Sequence, residues 1–213
     1  MIEPKRRRKS EKFWDRVSKR FGNSNRPMNS PALQAIQQYA DKYFTPTDMI
    51  LDIGCGPGDI TFEIARRTKF VYATDISEGM INSAKYRAVE QNISNAKFIR
   101  TNLIDKSFQA LSFDAITAFN MLQYVTDKQQ LYSAIYEYLK PQGLFISSTA
   151  CLHERKSMIR FMLTGMSTLK IGPEILFYRT SELENEIIES GFNIIEAGDI
   201  SKIPERFIVA RKD

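Results

Sequence analysis

Ile50-Leu51-Asp52-Ile53-Gly54-Cys55-Gly56-Pro57-Gly58-Asp59 breaks an apolar run with glycines on alternate positions. A helical pattern follows at once, with Ile60, Ile64 and Ala65 at helical spacing. The stretch reads as a strand, a tight turn and the start of a helix. Glycines let the backbone adopt φ > 0 and approach a ligand with no Cβ in the way. A helix start adds unpaired N–H groups and a partial positive charge. The segment is therefore expected to cradle a polar ligand at the end of a strand.

The spacing narrows the ligand. A dinucleotide fold wants G-x-G-x-x-G, and here the position three after Gly56 is Asp59. A phosphate loop wants Lys followed by Ser or Thr after its second glycine, and none is present. The stretch resembles the first motif of class I S-adenosylmethionine-dependent methyltransferases, an apolar strand leading into D-x-G-x-G-x-G. Asp52, Gly54, Gly56 and Gly58 match it position for position. The resemblance implies S-adenosylmethionine as cofactor, held by this turn, Cys55 included.

Outward from the turn, strands and helices alternate. Candidate strands are Met49–Ile53, Phe70–Thr74, Ala96–Arg100, Phe113–Phe119 and Gly143–Ser148, with helices at Asp59–Arg67, Glu78–Gln91 and Lys128–Leu139. Repeated β-α units imply a parallel sheet with helices on both faces. Ser181 with Glu184 has the spacing of a capping box for a helix ending at Gly191. Asn193–Ala197 and Arg206–Ala210 then read as closing strands, paired antiparallel through a short connection. Such a sheet again resembles the methyltransferase fold, which carries seven strands. The expected fold is α/β: a Rossmann-like three-layer sandwich with a mostly parallel sheet, one antiparallel strand and an N-terminal helical lid.

The chain has 213 residues, enough for one domain with an added cap. Residues 1–47 are expected to form a basic tail and helical cap. The remaining 48–213 would form the cofactor domain, with a cap insertion at about 152–179. Glu11–Phe21 looks helical, with Phe13, Trp14, Val17 and Phe21 in one apolar stripe. A second helix is expected from about Ser30 to Tyr43. No apolar run approaches a membrane span, and the N-terminus lacks the apolar core of a secretory signal, so a cytoplasmic location is expected. Cys55 and Cys151 are expected to be reduced thiols there.

The net charge of +5 is concentrated in the first residues, Lys5-Arg6-Arg7-Arg8-Lys9. This run has two readings: contact with nucleic acid or an anionic membrane surface, or a solvated terminus. The second is preferred, because one basic cluster is weak evidence of recognition. Nucleic acid is thus a disfavoured partner but stays among the alternatives.

Asp75 ends a strand about 20 positions after the first glycine, the spacing at which dinucleotide sites place a ribose-binding acid. Methyltransferase sites share that device, and by resemblance Ile76 would pack on the adenine. Past the next strand, Asn102-Leu103 would contact the adenine edge. Phe113–Val125 resembles the family's fourth motif, which sets Asn120 and Met121 beside the methionine end of the cofactor. The Asn/Asp-Pro-Pro-aromatic form common in nucleic-acid amino-methyltransferases is missing. Leu139-Lys140-Pro141-Gln142-Gly143 resembles the turn before the fifth strand, with Gln142 in place of a glycine.

His153, the sole histidine, follows the fifth strand and is a candidate general base; Tyr124 and Tyr178 are polar candidates at the same rim. Each is weighed against an ordinary packing role. No His/Cys/Asp/Glu cluster has metal-ligand spacing, so no metal is expected. The Met-rich stretch from Glu154 to Ile171 would form an adaptable apolar pocket for a small apolar or aromatic acceptor, or equally a homodimer contact. The reading is thus a small-molecule methyltransferase. The alternatives are an RNA or protein methyltransferase using the basic N-terminus, a nicotinamide-dependent oxidoreductase, and a noncatalytic cofactor-binding protein.

Overall fold

A computed structural model describes residues 4–19, 31–101, 108–151, 153, 175–200 and 205–213. The elements run α1 (Pro4–Ser18), α2 (Pro31–Tyr43), β1 (Met49–Ile53), α3 (Asp59–Ala65), β2 (Phe70–Asp75), α4 (Glu78–Glu90), β3 (Ala96–Arg100) and β4 (Phe113–Phe119). A 3₁₀ turn at Leu122–Tyr124 follows, then α5 (Lys128–Tyr138), β5 (Leu139–Ala150), α6 (Thr180–Glu189), β6 (Phe192–Asp199) and β7 (Glu205–Lys212).

The seven strands form one sheet in the order β3-β2-β1-β4-β5-β7-β6. Strands β1 to β5 pair parallel, and β7 runs antiparallel to both β5 and β6. Strand β1 is buried along Ile50–Ile53 because helices cover both sheet faces, which is why it reads as a continuous apolar run. Alternate side chains go opposite ways. Leu51 and Ile53 join Ile116, Ile135, Leu183 and Ile208 on the face of α5 and α6. Ile50 joins Ile36, Ile64, Val71 and Phe207 on the face of α2 and α3. The result is the three-layer sandwich expected from the sequence.

Strand order reverses between β1 and β4, so a crevice opens beyond their C-terminal ends, where open α/β sheets bind ligands. Because β7 is antiparallel, its N-terminal end reaches the same edge.

Three expectations need correction. Helix α1 begins at Pro4, so the basic run forms its opening turns rather than a tail. Strand β5 begins at Leu139 and is buckled, with its register to β4 shifting between Phe113 and Ala115, where Gln142 adopts φ 62. Helix α6 starts two residues early: Glu182 accepts the Arg179 backbone N–H at 2.9 Å. Glu184 instead accepts from Arg206 of β7 at 2.8 Å. Asn102, Leu103, Phe21, and most of the 152–179 segment lie outside the described residues.

Candidate functional site

The glycine turn is built from β2 as much as from β1. Gly54 and Cys55 both donate their backbone N–H to the Thr74 carbonyl, at 2.7 and 2.9 Å, which carries the β1–β2 ladder past the end of β1. Gly54 sits at φ 71, and a Cβ there would lie 2.8 Å from the Met121 Cβ. Gly56 sits at φ 53, yet a Cβ there would meet nothing within 4 Å. One glycine is packed against the start of the β4 loop; the next faces open space. Gly58 caps α3. From outside the turn, Arg87 donates to the Pro57 carbonyl at 2.9 Å and pairs with Asp59.

Asp52 does not face the crevice. It is 2% exposed, and its two carboxylate oxygens accept from Thr61 Oγ1 at 2.6 Å and Thr117 Oγ1 at 2.8 Å. It pins β1 to α3 on one side and β4 on the other. Burial pushes its carboxyl up to about 6, against the two hydroxyl bonds. The cofactor role expected for Asp52 is therefore corrected to a structural one. Neither threonine was legible as its partner, since the contacts depend on strand order. The Cys55 thiol is driven well above its ordinary value, first by burial, and stays protonated at neutral pH. Cys55 and Cys151 are both free thiols.

Asp75 joins two turns. One carboxylate oxygen accepts the Gly56 N–H at 3.0 Å and the other accepts the Ser77 N–H at 2.8 Å. Each oxygen keeps a lone pair, so the group can still accept from a diol. Its carboxyl is raised, chiefly by burial, while its backbone N–H bonds oppose the shift. Half-buried Ile76 follows; its carbonyl accepts from Arg100 at 3.2 Å.

Asn120 directly follows β4 with φ 52, an uncommon conformation that Asn tolerates better than most residues. Its N–H donates to the Ser148 carbonyl at 2.8 Å, and its exposed side chain donates to Glu205 Oε1 at 2.8 Å. Ser148 Oγ donates to the same oxygen at 2.8 Å. Glu205 and Ser148 are site-edge residues that the sequence reading missed; it started the last strand at Arg206. The available signal was an acid opening an otherwise apolar strand at the ligand edge.

The crevice therefore collects Gly56, Asp75, Asn120 and Met121. Tyr124 lies just beyond, half-buried, with its ring edge against Trp14 of α1 at 5.1 Å. Burial raises its hydroxyl. His153 follows β5, its backbone N–H bonded to the Tyr178 carbonyl at 3.1 Å. Tyr178 is not at the rim: it is buried against α6, donating to Glu186 at 3.0 Å. Among the described residues no group of His, Cys, Asp and Glu is arranged to hold a metal ion, and no helix is long and apolar enough to cross a membrane.

These features define an open α/β fold with a ligand crevice at its topological switch point. Residues 45–189 match the family described as "Methyltransferase domain", and the chain belongs to that family. It is 30% identical to the demethylmenaquinone methyltransferase of Symbiobacterium thermophilum, covering 72% of this chain and 62% of that protein. It is 26% identical to the ubiquinone biosynthesis O-methyltransferase of Acinetobacter baylyi, covering 68% of this chain and 63% of that one. The chain spans less than two thirds of the length of these curated relatives. Geranyl diphosphate C-methyltransferase from Streptomyces coelicolor superposes with a TM-score of 0.77 at 15% identity, over 100% of this chain and 99% of that one. Magnesium protoporphyrin IX methyltransferase from Synechocystis gives 0.76 at 17%, over 98% and 100%. These likenesses show the shared fold.

Proposed function

We propose that the chain transfers a methyl group from S-adenosylmethionine to a small apolar or aromatic acceptor. The observation that carries this reading is Asp75. It is locked to the glycine turn through Gly56, it retains acceptor capacity, and Gly56 beside it leaves open space. A ribose diol fits that pair of oxygens. Ile76 would pack on the adenine, and Gly54, Cys55, Gly56, Gly58, Asn102 and Leu103 would complete the nucleoside end. Asn120 and Met121 would flank the methionine end. The reading is further supported by the solved neighbours held with S-adenosylhomocysteine.

When bound, the cofactor supplies a sulfonium methyl that is already a strong electrophile. The chain's part is then positioning and exclusion of water. The Trp14 and Tyr124 rings pack edge to face just after β4; we assign the pair to the wall of the crevice and Tyr124 to shaping the acceptor. For an acceptor that must lose a proton, His153 is the base we propose. The names of the curated relatives favour a quinol or phenol ring as acceptor.

A screen scored by release of S-adenosylhomocysteine tests this. Turnover is expected with prenylated naphthoquinols or substituted phenols. Turnover confined to RNA or to protein substrates would overturn the small-molecule assignment. With an active acceptor, His153→Ala should depress kcat while leaving cofactor affinity unchanged; unchanged kcat would remove it as a base.

A further inference from the structure

Glu205 lies on β7, two strands from β4, yet its carboxylate sits 2.8 Å from the amide of Asn120. Neighbouring strands are about 4.8 Å apart, so the side chain must reach across β5 toward the switch point. Ser148, on the intervening strand, supports it with its hydroxyl. Both donors are neutral, and both serve Oε1. Among the described residues no donor reaches Oε2, and no lysine, arginine or histidine pairs with the carboxylate. Glu205 is nevertheless only 9% exposed. A carboxylate this buried is expected to have a countercharge.

Its neighbourhood points the same way. Gln123 is 6% exposed; its Nε2 donates to the Asn120 carbonyl at 3.0 Å, while its Oε1 is buried without a partner. Two acceptor oxygens beside Asn120 are thus left for a donor from outside: Glu205 Oε2 and, because Nδ2 is committed to Glu205, Asn120 Oδ1; the enclosed Gln123 Oε1 adds to the acceptor character behind them. Such a set suits a group that carries several N–H donors and a positive charge.

We propose that Glu205 binds the ammonium group of the cofactor's methionine end, as its countercharge, with Asn120 oriented by Glu205 to share it. The proposal rests on the S-adenosylmethionine reading above. It gives β7, which lies between β5 and β6 and two strands from β4, a direct part in cofactor selection.

Calorimetric titration of the full chain and of Glu205→Gln tests it without any acceptor. Three probes are used: S-adenosylhomocysteine, S-adenosylmethionine and 5′-methylthioadenosine, which keeps the nucleoside and thioether but lacks the amino-acid end. Gln can still accept from Asn120 and Ser148, so the fold is expected to survive, as checked by thermal unfolding. Glu205→Gln should weaken S-adenosylhomocysteine about tenfold and leave 5′-methylthioadenosine unchanged, in keeping with loss of one charge-assisted contact. Equal binding of S-adenosylhomocysteine by both proteins would overturn the proposal, as would an equal loss of all three probes. Weakening of S-adenosylmethionine alone would move the charge to the sulfonium and overturn the ammonium assignment. A wild-type chain that binds none of the three overturns the cofactor reading itself.

Discussion

Asp52 shows how far a motif residue's role can depart from its motif. Its proton is held more tightly in the folded chain than in the unfolded one, where an aspartate titrates near pH 4. Stability from this group is present below about pH 4, declines as pH rises from about 4 to about 6, and is flat above that. Asp52→Asn removes the titration. The unfolding free energy of wild type minus that of the variant should therefore fall by on the order of 2–3 kcal/mol across that window. Urea unfolding at a series of pH values checks this, and a pH-independent difference would contradict it. The neighbouring glycines separate stability from binding. Gly54→Ala forces a Cβ into Met121 at a positive φ and should lower stability by about 1–3 kcal/mol. Gly56→Ala meets open space, so its strain should be about 1 kcal/mol, while its methyl group intrudes on the ligand. Thermal unfolding and cofactor titration of the two variants should give opposite rankings. The sequence located this turn residue by residue. What it could not reveal is which way each side chain faces, because Thr61 and Thr117 come from other elements.

At the scale of elements, α1 departs furthest from its sequence reading. Its basic opening turns oppose the helix dipole, so local forces alone do not favour its start. The helix is instead docked. Asp15 accepts the Ser77 hydroxyl at 2.6 Å and the Gly79 N–H at 3.1 Å, at the start of α4. Trp14 reaches the segment after β4. One helix thus touches both the start of α4 and the segment after β4, and on those contacts we propose that it serves as a lid. Asp15→Ala should loosen it: amide exchange across α1 should quicken by an amount on the order of 1–2 kcal/mol, while the β-sheet amides hold their protection. Unchanged α1 exchange would show that docking rests elsewhere. The apolar stripe of α1 was legible, but the Asp15 contact was not, since its partners lie over sixty residues downstream. The α6 cap was misplaced for a related reason. Two serviceable boxes overlap in Arg179–Glu184, and Arg206 on β7 claims the second acid.

For the whole molecule, the alternation of strands and helices was enough to give a parallel sheet, and the two final strands its antiparallel edge. Strand order is a property of long-range pairing, and it decides which strand ends meet. That order puts Gly56, Asp75 and Asn120 around one crevice and carries Glu205 to its rim. The central claim is that this crevice is built for S-adenosylmethionine rather than for a dinucleotide. Calorimetric titration of the full chain with S-adenosylhomocysteine and, separately, with NADH tests it most directly. Saturable binding of S-adenosylhomocysteine, weakened by Asp75→Ala, with no heat from NADH, is the predicted result. Tight binding of NADH with none of S-adenosylhomocysteine would contradict it.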